Sequence, residues 1–127
     1  MLTELLEVIT ATVEGHCKLD TEITLEELPA EGGIYVELGD GFEESTSYNK
    51  QEVKVIPVLF LCRHPDQKRC LEQLCEISGY LQGLKQYPQG KTFAWLNTEI
   101  AKEPSKIGRD EDGVYHYSCI LNCKIYC

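Results

Sequence analysis

Apolar positions recur at helical spacing near the start of the chain, where Leu2, Leu5, Leu6, Ile9 and Val13 share one side of a helical wheel. Thr3 is a candidate N-cap, Glu4 and Glu7 sit near the positive end of the helix dipole, and Gly15 is a terminator, so the pattern predicts a helix over residues 2–14. From Cys17 to Gly32 the signals are mixed. Glu22 to Leu28 fits a short strand or one helical turn, and Pro29 with Gly32-Gly33 interrupts either. Gly33-Ile34-Tyr35-Val36-Glu37-Leu38 has the β-branched and aromatic content of a strand. Gln51 to Arg63 reads as a longer, more apolar strand pairing antiparallel with it. The polar connection between them, Gly39 to Lys50, is longer than a hairpin needs, which marks it as a mobile or contact segment.

His64-Pro65-Asp66 reads as a helix start with proline at the first helical position, after which Leu71, Leu74, Ile77, Leu81 and Leu84 repeat until Tyr87-Pro88. Thr92 to Leu96 predicts a third strand, joined through Asn97 to Gly113 to a fourth at Val114 to Tyr126. In the fourth, Tyr115, Tyr117, Cys119, Leu121, Cys123 and Ile125 alternate with His116, Ser118, Asn122 and Lys124, the pattern of a half-buried antiparallel strand. The order α-β-β-α-β-β predicts one α+β domain over residues 1–127, with two helices packed on one face of a mostly antiparallel four-stranded sheet.

The second strand is apolar on both sides. Val53, Val55, Leu59 and Leu61 point one way, and Ile56, Val58 and Phe60 the other. Two helices cover only one face, and leaving Ile56, Val58 and Phe60 in water would forgo roughly 5 to 8 kcal/mol at about 1.5 to 3 per side chain. These three are therefore candidate subunit contacts. Two alternatives need no partner: a bulge at Pro57 that reorients the neighbouring side chains, or residues 17–32 folding over the strand.

At 127 residues, with 43% hydrophobic and 26% charged residues, the chain has the size and composition of a single soluble core. No apolar run is long enough to cross a bilayer and the N-terminus has no export-signal pattern, so neither secretion nor membrane insertion is expected. The seven cysteines, an odd number, are then expected to be reduced thiols. A net charge of -9 opposes contact with phosphate backbones, so direct nucleic-acid readout is not expected either.

Candidate chemistry is sparse. Cys17, Cys62, Cys70, Cys75, Cys119, Cys123 and Cys127 contain no C-x-x-C spacing, and residues four apart on a strand lie about 13 Å from one another, too far for Cys119, Cys123 and Cys127 to share an ion. No nucleophile signature surrounds His16, His64 or His116. Asp110-Glu111-Asp112-Gly113 lacks the ligand pattern of a calcium loop and reads as a turn. Gly39-Asp40-Gly41 is followed by no phosphate-loop lysine. The expectation is a chain without a catalytic site, metal or cofactor.

Glu103-Pro104-Ser105-Lys106-Ile107-Gly108-Arg109-Asp110 followed by Asp112-Gly113-Val114-Tyr115-His116-Tyr117 resembles the ending of the small phage minor capsid and tail terminator (tail completion) proteins, similar in role to the phage lambda tail terminator. The likeness extends to the order of elements over nearly the whole chain. It implies a virion assembly protein of a tailed phage or prophage, made in the host cytoplasm, that forms a ring, usually hexameric, at the head-tail junction. Such a ring stops tail-tube growth and presents a surface to the head connector. The implied partners are further copies of the chain, the tail tube protein and a head-completion or connector protein. A cyclic ring uses heterologous contacts, which a spare apolar strand face suits. The candidate interface residues are Phe42, Tyr48, Ile56, Val58, Phe60, Ile107 and Arg109, the loop residues among them coming from 39–50 and 97–113. The alternative is a ferredoxin-like small-ligand-binding regulatory domain using Gly39-Asp40-Gly41. A thiol-dependent enzyme would need one cysteine far more reactive than the rest.

Overall fold

The computed structural model describes residues 2–17, 23–24, 33–39, 42–46, 52–84, 87–91, 93–109 and 113–126. Helix α1 (Leu2–His16) buries Leu5, Ile9 and Val13 and leaves Glu7, Ala11 and Glu14 in solvent. It begins at Leu2 as expected, with Thr3 inside the first turn and not at the cap, and runs two residues past the expected end, so that Gly15 is helical. Thr10 and Thr12 donate from their hydroxyls to the Leu6 and Val8 carbonyls at 2.8 and 2.7 Å, so Thr12 is buried with its polar group satisfied.

Four longer strands, β2 (Gly33–Leu38), β4 (Glu52–His64), β5 (Ala94–Arg109) and β6 (Tyr115–Tyr126), form an antiparallel sheet in the order β2-β4-β6-β5. Two short strands extend it. Strand β1 (Ile23–Thr24) pairs parallel with β2, and β3 (Phe42–Thr46) pairs antiparallel with β4. The class is α+β, as the patterning predicts, and the additions explain what the sequence left open. Ile23-Thr24 is strand. Part of the polar connection at 39–50 folds back as β3, because β2 reaches only from Val58 to Arg63 on β4, leaving the edge of β4 at residues 52–55 to be paired by β3.

Pro57 lies within β4 without a register shift against β6. Its carbonyl accepts from the Gly39 N–H at 2.7 Å, so the ring nitrogen faces the same side, at the junction between β2 and β3. A residue without an N–H sits there at no cost to the ladder, and no bulge is needed.

Helix α2 (Gln67–Gln82) starts two residues later than the sequence implies. The N-cap is Asp66, whose carboxylate accepts from the Lys68 N–H at 3.0 Å, and Pro65 stands before the cap, outside the helix. His64 accepts the Asp66 N–H on Nδ1 at 2.9 Å, which fixes the bend out of β4. The helix ends on Gly83, whose N–H bonds the Gly79 carbonyl at 3.0 Å.

Strand β5 is far longer than expected. It runs to Arg109 through the stretch read as a connection, and its pairing with β6 shifts register at four places between Trp95 and Gly108. Each irregularity interrupts the period-two alternation that identifies a strand in sequence, so the polar half of β5 carries no strand signature. Gly113, at φ 82, supplies the left-handed residue at the entry to β6.

Both helices pack on one face of the sheet, α1 over β2 and α2 over β4, β6 and β5. Beneath them lie Ile34 and Val36 of β2, the even-numbered Ile56, Val58, Phe60 and Cys62 of β4, and the odd-numbered residues of β6 from Tyr117 to Ile125. Trp95 completes this layer, its indole N–H donating to Thr98 Oγ1 at 2.9 Å.

This placement corrects the sequence expectation for three candidate contacts. Ile56, Val58 and Phe60 are 2%, 0% and 0% exposed inside a single subunit, so they are core and not subunit contacts. The cause is register. Ile56, Val58 and Phe60 stand opposite Cys123, Leu121 and Cys119, and cross-strand partners share a face, so the apolar side of β6 draws these β4 residues under the helices.

Candidate functional site

The face turned away from the helices carries the other half of β4: Val53, Val55, Pro57, Leu59 and Leu61, all partly exposed. Their β6 partners are Tyr126, Lys124, Asn122, Ile120 and Ser118. Register extends these rows across the sheet, giving Glu37, Leu59, Ile120 and Lys102 in one and Tyr35, Leu61, Ser118 and Ser105 in the next. An aliphatic stripe thus runs along β4, flanked by Glu37 and Tyr35 on one side and by Lys102, Glu99 and Asn97 on the other. The margin is polar and internally bonded: the Tyr35 hydroxyl donates to Glu37 at 2.8 Å, and the Lys102 ammonium lies 3.5 Å from the hydroxyl of buried Ser118. An apolar centre inside a polar rim is the anatomy of a protein contact surface.

The remaining predicted residues fall away from the centre of this stripe. Phe42 lies in β3 opposite Val55. Ile107 is 58% exposed near the end of β5, and Arg109 closes that strand opposite Tyr115, so Phe42 and the Ile107 end are about 25 Å apart along the sheet at some 3.3 Å per residue. Lys106 sets its ammonium 5.1 Å from the centre of the Tyr115 ring and steadies the same end. Tyr48, and Asp40-Gly41 of the proposed ligand turn, lie outside the described residues. The stripe itself, Val53 to Leu61, is what sequence reasoning assigned to the covered side. The signal that corrects it is the parity of β6, whose apolar residues identify the inward side of any strand paired with it.

Among the described residues no three histidine, cysteine or acidic side chains gather to hold a metal ion. Five of the six described cysteines are buried, and Cys75 is exposed. Burial pushes the Cys119 and Cys123 thiols up to about 12, and burial with the nearby Glu76 carboxylate pushes Cys17 up to about 11. Cys75 is also raised, by partial burial and then by Glu103. These four thiols stay protonated at neutral pH; buried Cys17, Cys119 and Cys123 behave as small hydrophobes, whereas Cys75 is open to reagents. No described helix is long and apolar enough to cross a membrane. No protein-family model matches the chain, and no curated protein matches it.

Proposed function

We propose that this chain is a virion assembly protein of a tailed phage or prophage that forms a ring at the head-tail junction, closing the tail tube and offering a surface to the head connector. The observation that carries this reading is the second apolar face of β4, with Val53, Val55, Leu59 and Leu61 turned away from both helices and joined by Ile120. A ring needs two different surfaces per subunit, and an aliphatic stripe with a bonded polar rim supplies one of them. The resemblance of Glu103 to Tyr117 to the tail terminator ending supports the same role, and exposed Ile107 at the far end of β5 is a candidate contact for the tube or connector. The work is done by geometry, with the protein's own copies and the tail tube protein as partners.

Light scattering coupled to gel filtration over a wide concentration range, with micrographs of mixtures with tail tubes, tests the reading. The expected outcome is a ring that caps tube ends. A chain that stays monomeric at every concentration and leaves tube ends bare overturns it.

A further inference from the structure

Two thiols meet where β4 turns into α2. Cys62 is on the inner face of β4, two residues before its end, and Cys70 is in the first turn of α2. The bend through His64, Pro65 and Asp66 folds the helix back, so that Cys70 Sγ lies 3.3 Å from the Cys62 carbonyl oxygen. Gln73, one turn further along, brings its amide nitrogen to 3.8 Å from Cys62 Sγ, so the two sulfurs occupy one buried pocket between strand and helix. Neither residue has any solvent exposure.

We propose that Cys62 and Cys70 are a redox modification site, joined as a disulfide when the protein meets a low-molecular-weight disulfide such as oxidised glutathione. The assignment is independent of the assembly role. Among the described cysteines, Cys70 has the thiol held below its ordinary range, first by a hydrogen bond from the Cys62 thiol and further by the Tyr117 backbone, with burial opposing both. Cys70 is therefore the first nucleophile.

The exchange balances in two steps. The Cys70 thiolate attacks one sulfur of the reagent; the reagent's S–S bond breaks, and one small thiolate leaves and takes up the proton Cys70 gave. Cys62 then loses its proton and attacks the Cys70 sulfur of the mixed disulfide, expelling the second small thiol. The two protein thiols are oxidised by two electrons and the reagent disulfide is reduced to two thiols. Because both sulfurs are buried, attack waits on opening of the first turn of α2, so the reaction is slower than adduct formation at exposed Cys75. The product ties the end of β4 to the start of α2 inside the core and leaves the outer stripe untouched.

The test is to incubate the native full-length protein with oxidised and reduced glutathione at a series of ratios, block free thiols with an alkylating agent, and map the digest by mass spectrometry. The expected result is a Cys62–Cys70 linked peptide that disappears on reduction, with glutathione carried on Cys75. Free thiols at both Cys62 and Cys70 when Cys75 is fully modified would overturn the proposal, as would glutathione on either without a link. As a second measurement, oxidation should raise the thermal midpoint of the wild type and not that of Cys70→Ser; an equal rise in both counts against the assignment. Should Cys70→Ser fail to fold, the wild-type peptide map decides alone.

Discussion

One step along β4 separates two different roles. Phe60 has no solvent exposure beneath the helices, whereas Leu59 and Leu61 on either side of it face outward and are partly exposed. Phe60→Ala should lower stability by about 3 to 5 kcal/mol, because it removes a ring from a packed layer that cannot collapse around the void. Urea unfolding of the monomer measures this. The buried thiols give a second prediction, in the alkaline range. Cys119 and Cys123 have folded-state values raised from 9.0 to about 12, so the folded state holds these protons more tightly than the unfolded chain does. Their contribution is fully present below pH 9 and is lost as pH climbs through the window from 9 towards 12. Within that window each thiol should cost up to about 1.4 kcal/mol per pH unit. Denaturant midpoints measured at pH values across this window should fall for the wild type and fall less steeply for Cys119→Val. Equal slopes for the two proteins would mean that Cys119 ionises as easily folded as unfolded.

At the scale of elements, β5 is an edge strand that the chain covers with side chains. The Trp95 N–H donates to Gln89 Oε1 at 3.2 Å, and Gln89 Nε2 donates to the Trp95 carbonyl at 3.1 Å, so one carboxamide mimics a neighbouring strand. Gln82 does the same further along, accepting from the Ile100 N–H at 2.9 Å. An edge masked in this way is a poor template for stray pairing. Gln89→Ala should cost about 1 kcal/mol, as expected for a modest net gain from hydrogen bonding, and should speed amide exchange at Trp95. An unchanged exchange rate there would mean the amide clamp is not formed in solution. The same strand illustrates what the sequence reveals and what it hides. Strand β6 and helix α2 are legible because their apolar residues keep an unbroken period, of two in one case and of a helical turn in the other. Strand β5 is hidden beyond Leu96 because its four register shifts scramble the alternation. The two-sided character of β4 is legible in the sequence too, but which side faces inward is not, since that choice depends on pairing with β6, more than fifty residues away.

At the scale of the whole molecule, two helices cover one face of a sheet whose central strand is apolar on both. If the outer stripe forms the contact between neighbouring subunits, any substitution in it is repeated at every interface of the ring, and closure amplifies the effect. Leu59→Ser removes one aliphatic side chain from each contact, a loss of about 1.5 to 3 kcal/mol, which weakens each contact roughly ten- to a hundredfold. The net charge of -9 changes this little at physiological salt, where charges beyond about 8 Å are screened. Leu59→Ser should therefore elute as a monomer at concentrations where the wild type is a ring, with the monomer's unfolding midpoint nearly unchanged because the residue is only partly buried. Ile107→Ser acts elsewhere. It is 58% exposed and far from the middle of the stripe, so rings should persist while tube capping weakens. Gel filtration separates the two effects: rings that survive Leu59→Ser intact would remove the stripe from the subunit contact, and a Leu59→Ser monomer that unfolds as readily as Phe60→Ala would show that this face is part of the subunit's own core.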